Sequence, residues 1–347
     1  MKKKYMKIAI KFAKKGSGKV APNPLVGCVI VNNNKVVGKG WHEYFGGKHA
    51  EINALLDAGE KAFGADLYVT LEPCNSYGKQ PPCTKAIIEA GIKRVFFAVC
   101  DPNVLGGKKM LNASGVEVIS GVCAKEAKPL LKDYLASLKK KSKVTVKAAM
   151  TLDGKIATES FDSKWITSVK SRKVVHELRS KYDAVLVGFN TALKDDPTLT
   201  SHGKGKNPVR VVIDLNLKLP KNLKVFNDDA PTVVVCGSNC KPPKSKVVYA
   251  VVDAKAARKD FKIIIKKLND LGLKTILIEG GGEIISSALF SKAVDDVYLF
   301  IAPKIIGGKN AVPVVGGKGV NKIADAVNVK NTRVQKIGSD LLITGKI

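Results

Sequence analysis

Apolar residues recur along the first 140 positions with the two periods that distinguish helices from strands. Tyr5, Ile8, Ala9 and Phe12 follow helical spacing and predict an amphipathic helix over 2–15. The same reasoning predicts further helices at 49–62, 83–91 and 124–138. Strands are predicted at 26–31, 36–40, 66–71, 94–99 and 116–119, and Asn32-Asn33-Asn34 marks a hairpin between the first two. This order of elements is typical of an α/β fold.

A polar run, Lys139-Lys140-Lys141-Ser142-Lys143, interrupts the apolar periodicity. A second α/β pattern begins behind it, so we place a domain boundary near residue 142 and expect domains at 1–142 and 143–347. Strands of the second domain are predicted at 144–150, 183–188, 209–214, 232–236, 274–279, 296–302 and 340–345. Its helices are predicted at 168–180, 256–271 and 283–291.

The overall composition is that of a globular chain. Its 347 residues are 45% hydrophobic, and no apolar run approaches the roughly 20 residues that cross a bilayer. Lysines interrupt the apolar residues near the start, so we expect no signal peptide, no membrane association and a cytoplasmic protein. The seven cysteines lack framework-like spacing and are expected to be thiols, which makes metal ligation worth considering.

The net charge of +29 raises the possibility of nucleic-acid binding. However, only six of the 59 basic residues are arginine, and the lysines are spread from Lys2 to Lys346. We interpret the charge as a compositional bias and expect no nucleic-acid partner. Small anionic ligands would still be attracted.

Three segments of the first domain carry candidate metal ligands. His49-Ala50-Glu51 begins a predicted helix, Cys74 follows a strand, and Cys83 opens the next helix. One imidazole and two thiolates leave a fourth tetrahedral position for water, as in catalytic zinc sites. Glu51 is not needed by the metal and could exchange a proton with that water and with a leaving amine. Taken singly, a histidine or cysteine is more often a packed residue, and only the combination favours Zn²⁺.

This combination resembles the cytidine-deaminase superfamily. Because eight residues separate Cys74 from Cys83, it is more similar to the bifunctional riboflavin-biosynthesis deaminase–reductases. The matching segments are Pro22–Ile30, Gly40-Trp41-His42, Leu71-Glu72-Pro73-Cys74, Gly78–Cys83 and Asp101-Pro102-Asn103. The resemblance implies substrate contacts from Asn23, His42 and Lys79. Where this family usually has Ser-His after the first cysteine, this chain has Asn75-Ser76.

The second domain resembles the reductase part of the same family, which is similar in fold to dihydrofolate reductase. The likeness begins at Lys147–Ala157, which by itself predicts only a strand that runs into a turn. It continues through Ser163–Thr167, His176–Ser180, Asp183–Thr191, Asp195–Thr200, Pro208–Asp214, Glu279–Gly282 and Ala302–Gly308. The resemblance therefore implies a cytidine-deaminase-like three-layer domain followed by a dihydrofolate-reductase-like α/β domain.

The resemblance also implies site residues for an NADPH-dependent reduction. Lys147 and Asp195 would be catalytic, and the substrate would contact Ser163, Arg179, Leu199 and Glu279. NADPH would contact Ala149, Trp165, Thr167, Thr191, Asp195 and Gly281. Taken without the resemblance, Gly280-Gly281-Gly282 is better explained by a tight turn than by a phosphate site. Arg179 is then as well explained by an exposed helix position as by phosphate binding. His202 stands where the family often has arginine.

The expected function is a two-step sequence. The first domain would hydrolyse the 2-amino group of 2,5-diamino-6-ribosylamino-4(3H)-pyrimidinone 5′-phosphate, and the second would reduce the ribosyl group of the product with NADPH. The partner would be this small phosphorylated pyrimidine, and the resemblance implies a homodimer or homotetramer. Two alternatives stay open: a deaminase of nucleic acids, although residues 72–85 offer only Tyr77 as an aromatic, and a chain in which one domain has lost its activity.

Overall fold

The computed structural model describes residues 2–75, 82–103, 106–243 and 245–347. The chain divides into two compact units, Met1–Lys140 and Lys141–Ile347. All seven cysteines are free thiols, as expected. Within the described ranges, no helix combines the length and the apolar character that a membrane span requires.

The first unit is built on a five-stranded sheet in the order β2-β1-β3-β4-β5. Its strands are β1 (Gly27–Asn32), β2 (Lys35–Trp41), β3 (Asp66–Leu71), β4 (Arg94–Val99) and β5 (Glu117–Ser120). Its helices are α1 (Lys2–Ala13), α2 (Ala50–Ala58), α3 (Cys83–Glu89), α4 (Gly107–Ala113), α5 (Ala124–Ala127) and α6 (Lys132–Leu138). β1 is antiparallel to β2 and β3, whereas β3, β4 and β5 are parallel.

Glycines show that α1 and α2 cover opposite faces of this sheet. A Cβ atom on Gly27 would lie 2.1 Å from the Ala9 carbonyl oxygen of α1. Gly40 of β2 is paired with Cys28, the neighbour of Gly27 in β1, and therefore faces the other side of the sheet from Gly27. A Cβ atom on Gly40 would lie 2.3 Å from the Ala50 carbonyl oxygen of α2. Because neighbouring residues of a strand point to opposite faces, the unit has three layers, helix, sheet and helix, as predicted.

The second unit contains a nine-stranded sheet in the order β11-β10-β9-β8-β12-β6-β13-β16-β15. Its strands are β6 (Lys143–Thr151), β8 (Ala184–Gly188), β9 (Val209–Ile213), β10 (Thr232–Gly237), β11 (Val248–Val252), β12 (Thr275–Ile278), β13 (Asp296–Ala302), β15 (Lys330–Ile337) and β16 (Asp340–Lys346). Two short strands, β7 (Lys155–Ala157) and β14 (Val312–Pro313), pair separately. The helices are α7 (Val169–Arg179), α8 (Phe189–Asp195), α9 (Ala254–Lys259), α10 (Lys262–Asp270) and α11 (Gly282–Phe290).

Seven consecutive strands of this sheet, from β11 to β13, are parallel. Every residue of β8, β9 and β10 is buried, as expected of parallel strands that are covered on both faces. The carboxyl ends of parallel strands meet at one edge of the sheet, where ligands of open α/β sheets bind. The antiparallel pair β15–β16 closes the opposite side.

Several element predictions were wrong in detail. The predicted helix 124–138 is interrupted by the 3-10 turn Lys128–Leu131, because Pro129 cannot donate to a continuous helix. The predicted helix 256–271 consists of α9 and α10, which are separated at Asp260. Six elements were not predicted: α4, α8, β7, β11, β14 and β15. β15 is exposed along nearly its whole length, so it carries no alternating pattern.

Candidate active sites

The fold brings the three predicted metal ligands of the first unit together. His49 is the residue that caps α2, and Cys83 opens α3 directly after Pro82. Cys74 lies just beyond β3, where the Glu72 amide still bonds to the Val99 carbonyl oxygen. The ligand atoms of the three residues all lie within 4.8 Å of one another.

The distances within this group fit a metal ion. His49 Nδ1 lies 3.2 Å from Cys83 Sγ and 3.5 Å from Cys74 Sγ. In a tetrahedral zinc site of ordinary bond lengths, such a nitrogen and sulfur are about 3.6 Å apart. The Cys83 side chain and its backbone N–H, which lies 3.3 Å from Cys74 Sγ, together with His49 lower the pKa of Cys74 to about 4. The group is therefore suited to hold a cation through thiolate and imidazole ligands.

Glu51 lies in the first turn of α2, two residues from His49. Only 4% of its surface is exposed. Burial raises the pKa of this carboxyl to about 7, against the opposing effect of His49. A carboxyl with such a pKa can both accept and return a proton near neutral pH.

Asn23 and His42 form a second polar pair in this unit. Asn23 Nδ2 lies 3.0 Å from His42 Nε2, and His42 Nδ1 lies 3.0 Å from the Lys48 carbonyl oxygen. Nδ1 therefore donates to Lys48 and Nε2 accepts from Asn23, which fixes one neutral tautomer. Burial lowers the pKa of His42, consistent with a neutral ring. The His42 ring meets the His49 ring edge-on at 5.9 Å, so the pair lies beside the metal ligands.

Two positions that the sequence assigns to this site, Lys79 and Ser76, lie outside the described residues. Asn75 is described, and its side-chain oxygen accepts a hydrogen bond from Thr84 Oγ1 at 2.9 Å. This contact ties the segment after Cys74 to α3, the helix that carries Cys83. Sequence reasoning did not identify it.

Lys147, Arg179 and Glu279 form a buried ionic cluster in the second unit. Arg179 Nε and Nη2 donate to the two Glu279 oxygens at 2.6 and 3.0 Å, and Lys147 Nζ lies 3.7 Å from Oε2. Burial acts to raise the pKa of Glu279, but Arg179 and Lys147 outweigh it and hold this pKa at about 2. Burial lowers the pKa of Lys147. Arg179 Nη1 also donates to the Thr200 carbonyl oxygen at 2.9 Å. The Arg179 side chain therefore points into the protein and is largely buried.

Two histidines lie next to this cluster. The rings of His176 and His202 stack with their centroids 4.2 Å apart, and His202 Nε2 lies 3.2 Å from Thr198 Oγ1. Burial, His202 and Arg179 lower the pKa of His176 to about 4. His202, which stands where the family often has arginine, therefore stacks on the His176 ring.

A cavity of about 580 Å³ opens at the carboxyl ends of β8, β9 and β12. This volume lies within the range of cofactor sites. Its lining includes Ser163, Thr191, Asp195 and Gly281, four of the predicted reductase-site residues. Ser163 Oγ donates to Asp195 Oδ1 at 3.3 Å, and burial raises the pKa of Asp195.

The glycines at this cavity permit a close backbone approach. Gly281 has a φ of +73°, and a Cβ atom there would lie 3.3 Å from Thr191 Oγ1. A Cβ atom on Gly282 would lie 2.5 Å from the Pro313 carbonyl oxygen. The glycines therefore permit the tight turn before α11, and Gly281 and Gly282 at the start of this helix line the cavity.

The other predicted reductase residues lie elsewhere. Trp165 is 64% exposed and stacks beneath the Arg172 guanidinium, which also donates to the Thr167 carbonyl oxygen. Ala149 lies in β6 and packs with the Phe300 cluster, and the Leu199 side chain is buried in the hydrophobic core. None of these residues is part of the described cavity lining, and neither is the ionic cluster.

Sequence reasoning missed several residues that line the cavity. Asn190 and Lys194 come from α8, which was not predicted. Asp214, Asn216 and Lys218 follow β9, and Arg258 comes from α9. Their position directly after buried apolar strands was the available signal, because ligands gather at the carboxyl ends of parallel strands.

Comparisons with known proteins agree with this picture. The model of the cytidine and deoxycytidylate deaminase zinc-binding region matches residues 1–99, and that of the RibD C-terminal domain matches 142–343. The riboflavin biosynthesis protein RibD of Aquifex aeolicus is 44% identical over 98% of this chain and 97% of its own length. RibD of Actinobacillus pleuropneumoniae is 41% identical over 98% and 93%.

A solved structure is similar along the whole chain. The diaminohydroxyphosphoribosylaminopyrimidine deaminase/5-amino-6-(5-phosphoribosylamino)uracil reductase of Thermotoga maritima is 39% identical, with a TM-score of 0.53. The match covers 99% of this chain and 98% of that one.

The first unit and its ligand group define a zinc-dependent deaminase of the cytidine-deaminase class, and a reductase domain follows it in sequence. His49, Cys74 and Cys83 are its zinc-binding residues. The chain belongs to the RibD family, the bifunctional deaminase–reductases of riboflavin biosynthesis, and it catalyses the deaminase and reductase steps of that pathway with a small pyrimidine as substrate. The family implies a nicotinamide cofactor for the second step.

Proposed function

We propose that residues 1–142 hydrolyse the 2-amino group of 2,5-diamino-6-ribosylamino-4(3H)-pyrimidinone 5′-phosphate, and that residues 143–347 then reduce the ribosyl group of the product to ribityl with NADPH. The observation that carries the proposal is the convergence of His49, Cys74 and Cys83 on one point, with the buried Glu51 carboxyl two residues from a ligand. This substrate is a tautomer of the diaminohydroxyphosphoribosylaminopyrimidine on which the Thermotoga maritima relative acts.

In the deaminase half, three protein ligands leave one position of a tetrahedral site open. Zinc held by these three ligands would supply a water nucleophile near neutral pH. Glu51 would accept a proton from the attacking water and deliver it to the departing amine, for which its pKa of about 7 is suited. Asn23 and His42 would orient the pyrimidine, and the Lys48 carbonyl oxygen holds the His42 ring in one tautomer. Lys79 is assigned to the same substrate.

In the reductase half, the cavity that contains Thr191, Asp195 and Gly281 holds NADPH, and Ala149, Trp165 and Thr167 add contacts beyond it. NADPH, when bound, supplies the two electrons of the reduction. The amides that open α11 lie where a pyrophosphate would be favoured by the helix dipole. Ser163 orients the Asp195 carboxyl, which faces both cofactor and substrate.

The ionic cluster serves the sugar of the substrate. Reduction adds a hydride to C1′ of the ribosyl group and breaks the bond between C1′ and the ring oxygen. Lys147 can donate the proton that this oxygen takes up, because burial lowers the pKa of Lys147. Glu279 stays ionised between Arg179 and Lys147 and accepts hydrogen bonds from sugar hydroxyls. Arg179 uses three of its five N–H donors inside the protein and keeps two for the substrate. Leu199 contributes through its backbone, since its side chain is in the core.

We assign the enzyme to the cytoplasm, where cysteine thiols such as Cys74 and Cys83 stay reduced and available to zinc. We also infer a homodimer or homotetramer and no nucleic-acid partner, because the basic residues are dispersed along the sequence.

A coupled assay tests the proposal. Purified protein with the diaminopyrimidine ribonucleotide and NADPH should release ammonia first and then oxidise NADPH. Removal of zinc with a chelator should abolish ammonia release, and added zinc should restore it. Oxidation of NADPH by the deaminated nucleotide should continue in the presence of the chelator. The proposal is wrong if neither signal appears, and its deaminase half is wrong if ammonia is never released.

A further inference from the structure

The described cavity has a cationic end that the reaction does not require. Lys218 and Arg258 line it, and no described residue accepts a hydrogen bond from either side chain. Four of the six arginines, Arg94, Arg172, Arg179 and Arg210, donate to partners inside their own unit. Arg333 lies exposed on β15. Arg258 therefore lines the described cavity with a guanidinium that is free to bind a ligand.

Packing at the end of β10 holds the two cations on one wall. The Gly237 amide donates to the Leu215 carbonyl oxygen at 3.0 Å. A Cβ atom on Gly237 would lie 2.9 Å from that oxygen and 3.1 Å from Ala254 Cβ. The loop that carries Lys218 and the helix that carries Arg258 are therefore both in contact with the same glycine.

The position of this wall separates it from the reacting atoms. Ser163 and Asp195 lie at the β8 side of the cavity, and Gly281 follows β12. Arg258 follows β11, which is three strand positions from β8. Three strand spacings amount to about 14 Å. A dinucleotide with its pyrophosphate at Gly281 and its adenosine over β9 would place the adenosine ribose on the side of the cavity that Lys218 and Arg258 line.

The chemistry at this end fits a phosphate better than a hydroxyl group. In Rossmann-fold enzymes a carboxylate accepts the ribose 2′-hydroxyl of NAD, and an arginine accommodates the 2′-phosphate of NADP. The same pairing of charges applies at any adenosine ribose site. The carboxylate here is Asp214, and its two oxygens already accept the Lys218 and Leu219 amides at 3.0 and 2.8 Å. Only 3% of Asp214 is exposed. A planar guanidinium and a neighbouring ammonium remain, and both bind phosphate oxygens.

We propose that Arg258, with Lys218 beside it, binds the 2′-phosphate of NADPH and so determines the preference of the reductase for NADPH over NADH. This inference rests on the proposed function, because it requires the cofactor to occupy the described cavity. It deepens that proposal by naming the residues that select the cofactor. Neither residue contacts the reacting atoms.

Isothermal titration calorimetry of the full-length protein with NADPH and with NADH tests the inference. Arg258→Ala should raise the Kd for NADPH ~10- to 100-fold, as expected for the loss of a charge-assisted contact, and change the Kd for NADH less than about 2-fold. Lys218→Ala should show a smaller effect of the same kind, and Arg258→Lys should recover part of the affinity. Arg333→Ala, an exposed arginine on β15, is the matched control and should leave both constants unchanged.

Two fragments of the cofactor, with and without the 2′-phosphate, isolate the contribution of that group to binding. The wild type should bind 2′,5′-ADP more tightly than 5′-AMP, and Arg258→Ala should remove that difference. Equal weakening of NADPH and NADH, or an unchanged Kd for NADPH, would overturn the assignment of Arg258 while leaving the reductase function intact. A wild type that binds neither nucleotide would overturn the proposed reductase function together with the inference.

Discussion

Glu51 and Glu279 are both buried glutamates, yet their surroundings give them opposite properties. Burial raises the pKa of Glu51 to about 7. Burial also acts to raise the pKa of Glu279, but the charges of Arg179 and Lys147 bring it to about 2. One carboxyl can therefore exchange a proton near neutral pH, whereas the other stays an anion throughout the physiological range. The difference comes from neighbours that lie up to 132 residues away in sequence, and no local motif reports it.

Replacement of Glu51 by glutamine keeps the shape of the side chain and removes its proton exchange. We expect Glu51→Gln to lower the rate of ammonia release ~10²- to 10⁴-fold while zinc content stays the same. Ammonia assays and metal analysis measure the two quantities. Glu60→Gln, an exposed glutamate just beyond α2, is the control and should behave as the wild type. Loss of zinc together with activity would instead mean that Glu51 supports the metal.

Replacement of Glu279 by glutamine leaves Arg179 and Lys147 buried without their counter-ion. Removal of one partner of such a buried group costs roughly 3–5 kcal/mol. We expect Glu279→Gln to lower the free energy of unfolding of its unit by about this amount, as measured by urea denaturation. Glu177→Gln on the exposed side of α7 should change it by less than about 0.5 kcal/mol. Equal stability of the two variants would contradict the ion cluster.

His176 gives the second unit a stability that depends on pH. Its pKa is about 4 in the folded protein, against an ordinary value of 6.5. The unfolded chain therefore takes up a proton first, so stability is complete above pH 6.5 and is lost as the pH falls toward 4. We expect His176→Gln to gain stability relative to the wild type over that interval and to show no further relative change below it. Chemical denaturation at a series of pH values measures the difference, and a difference independent of pH would contradict the assignment.

Among the elements, the two sheets position their sites in different ways. In the first unit the ligands come from the starts of α2 and α3 and from the end of β3. In the second unit the cavity is lined by segments that come after β8, β9, β11 and β12 and by the paired strands β7 and β14 with the loops behind them. The first arrangement depends on how closely two helices approach the sheet, and the second on loops at one edge.

Gly40 controls the approach of α2 to β2. We expect Gly40→Ala to destabilise the first unit by roughly 1–3 kcal/mol and to reduce zinc content, because a Cβ atom would lie 2.3 Å from the Ala50 carbonyl oxygen next to His49. Urea denaturation and metal analysis of the purified variant provide the measurement. Lys39→Ala, an exposed change on the same strand, should have neither effect. Normal zinc content in Gly40→Ala would show that the ligand geometry tolerates movement of the helix.

Most of the elements could be predicted from the sequence, and the exceptions have physical causes. Continuous apolar runs identified β8, β9 and β10, since both faces of these strands are buried. α8 was missed because it follows β8 without a turn and buries only Ala192. The zinc ligands were predictable because their spacing is distinctive. The cavity wall at Lys218 and Arg258 was not, because it depends on the order of strands in the sheet.

For the whole molecule, the net charge of +29 has a kinetic consequence. Both proposed ligands are anions, and a positive field raises their rate of encounter. We expect kcat/KM of both steps to fall as salt rises from about 50 to 500 mM, while kcat changes little, because screening acts on association. Steady-state kinetics at several salt concentrations measure this. Independence of kcat/KM from salt would mean that the charge is spread too evenly to attract the substrates.

The parallel sheet of the second unit distributes its tasks along one edge. The groups assigned to reaction lie after β8 and in β6, and those assigned to cofactor selection lie after β9 and β11. A mutation in one of these loops leaves the others attached to rigid, buried strands. Cofactor preference and reaction chemistry can therefore be altered independently in the laboratory and in evolution, which makes this edge a suitable place to adapt the reductase to a different reductant supply.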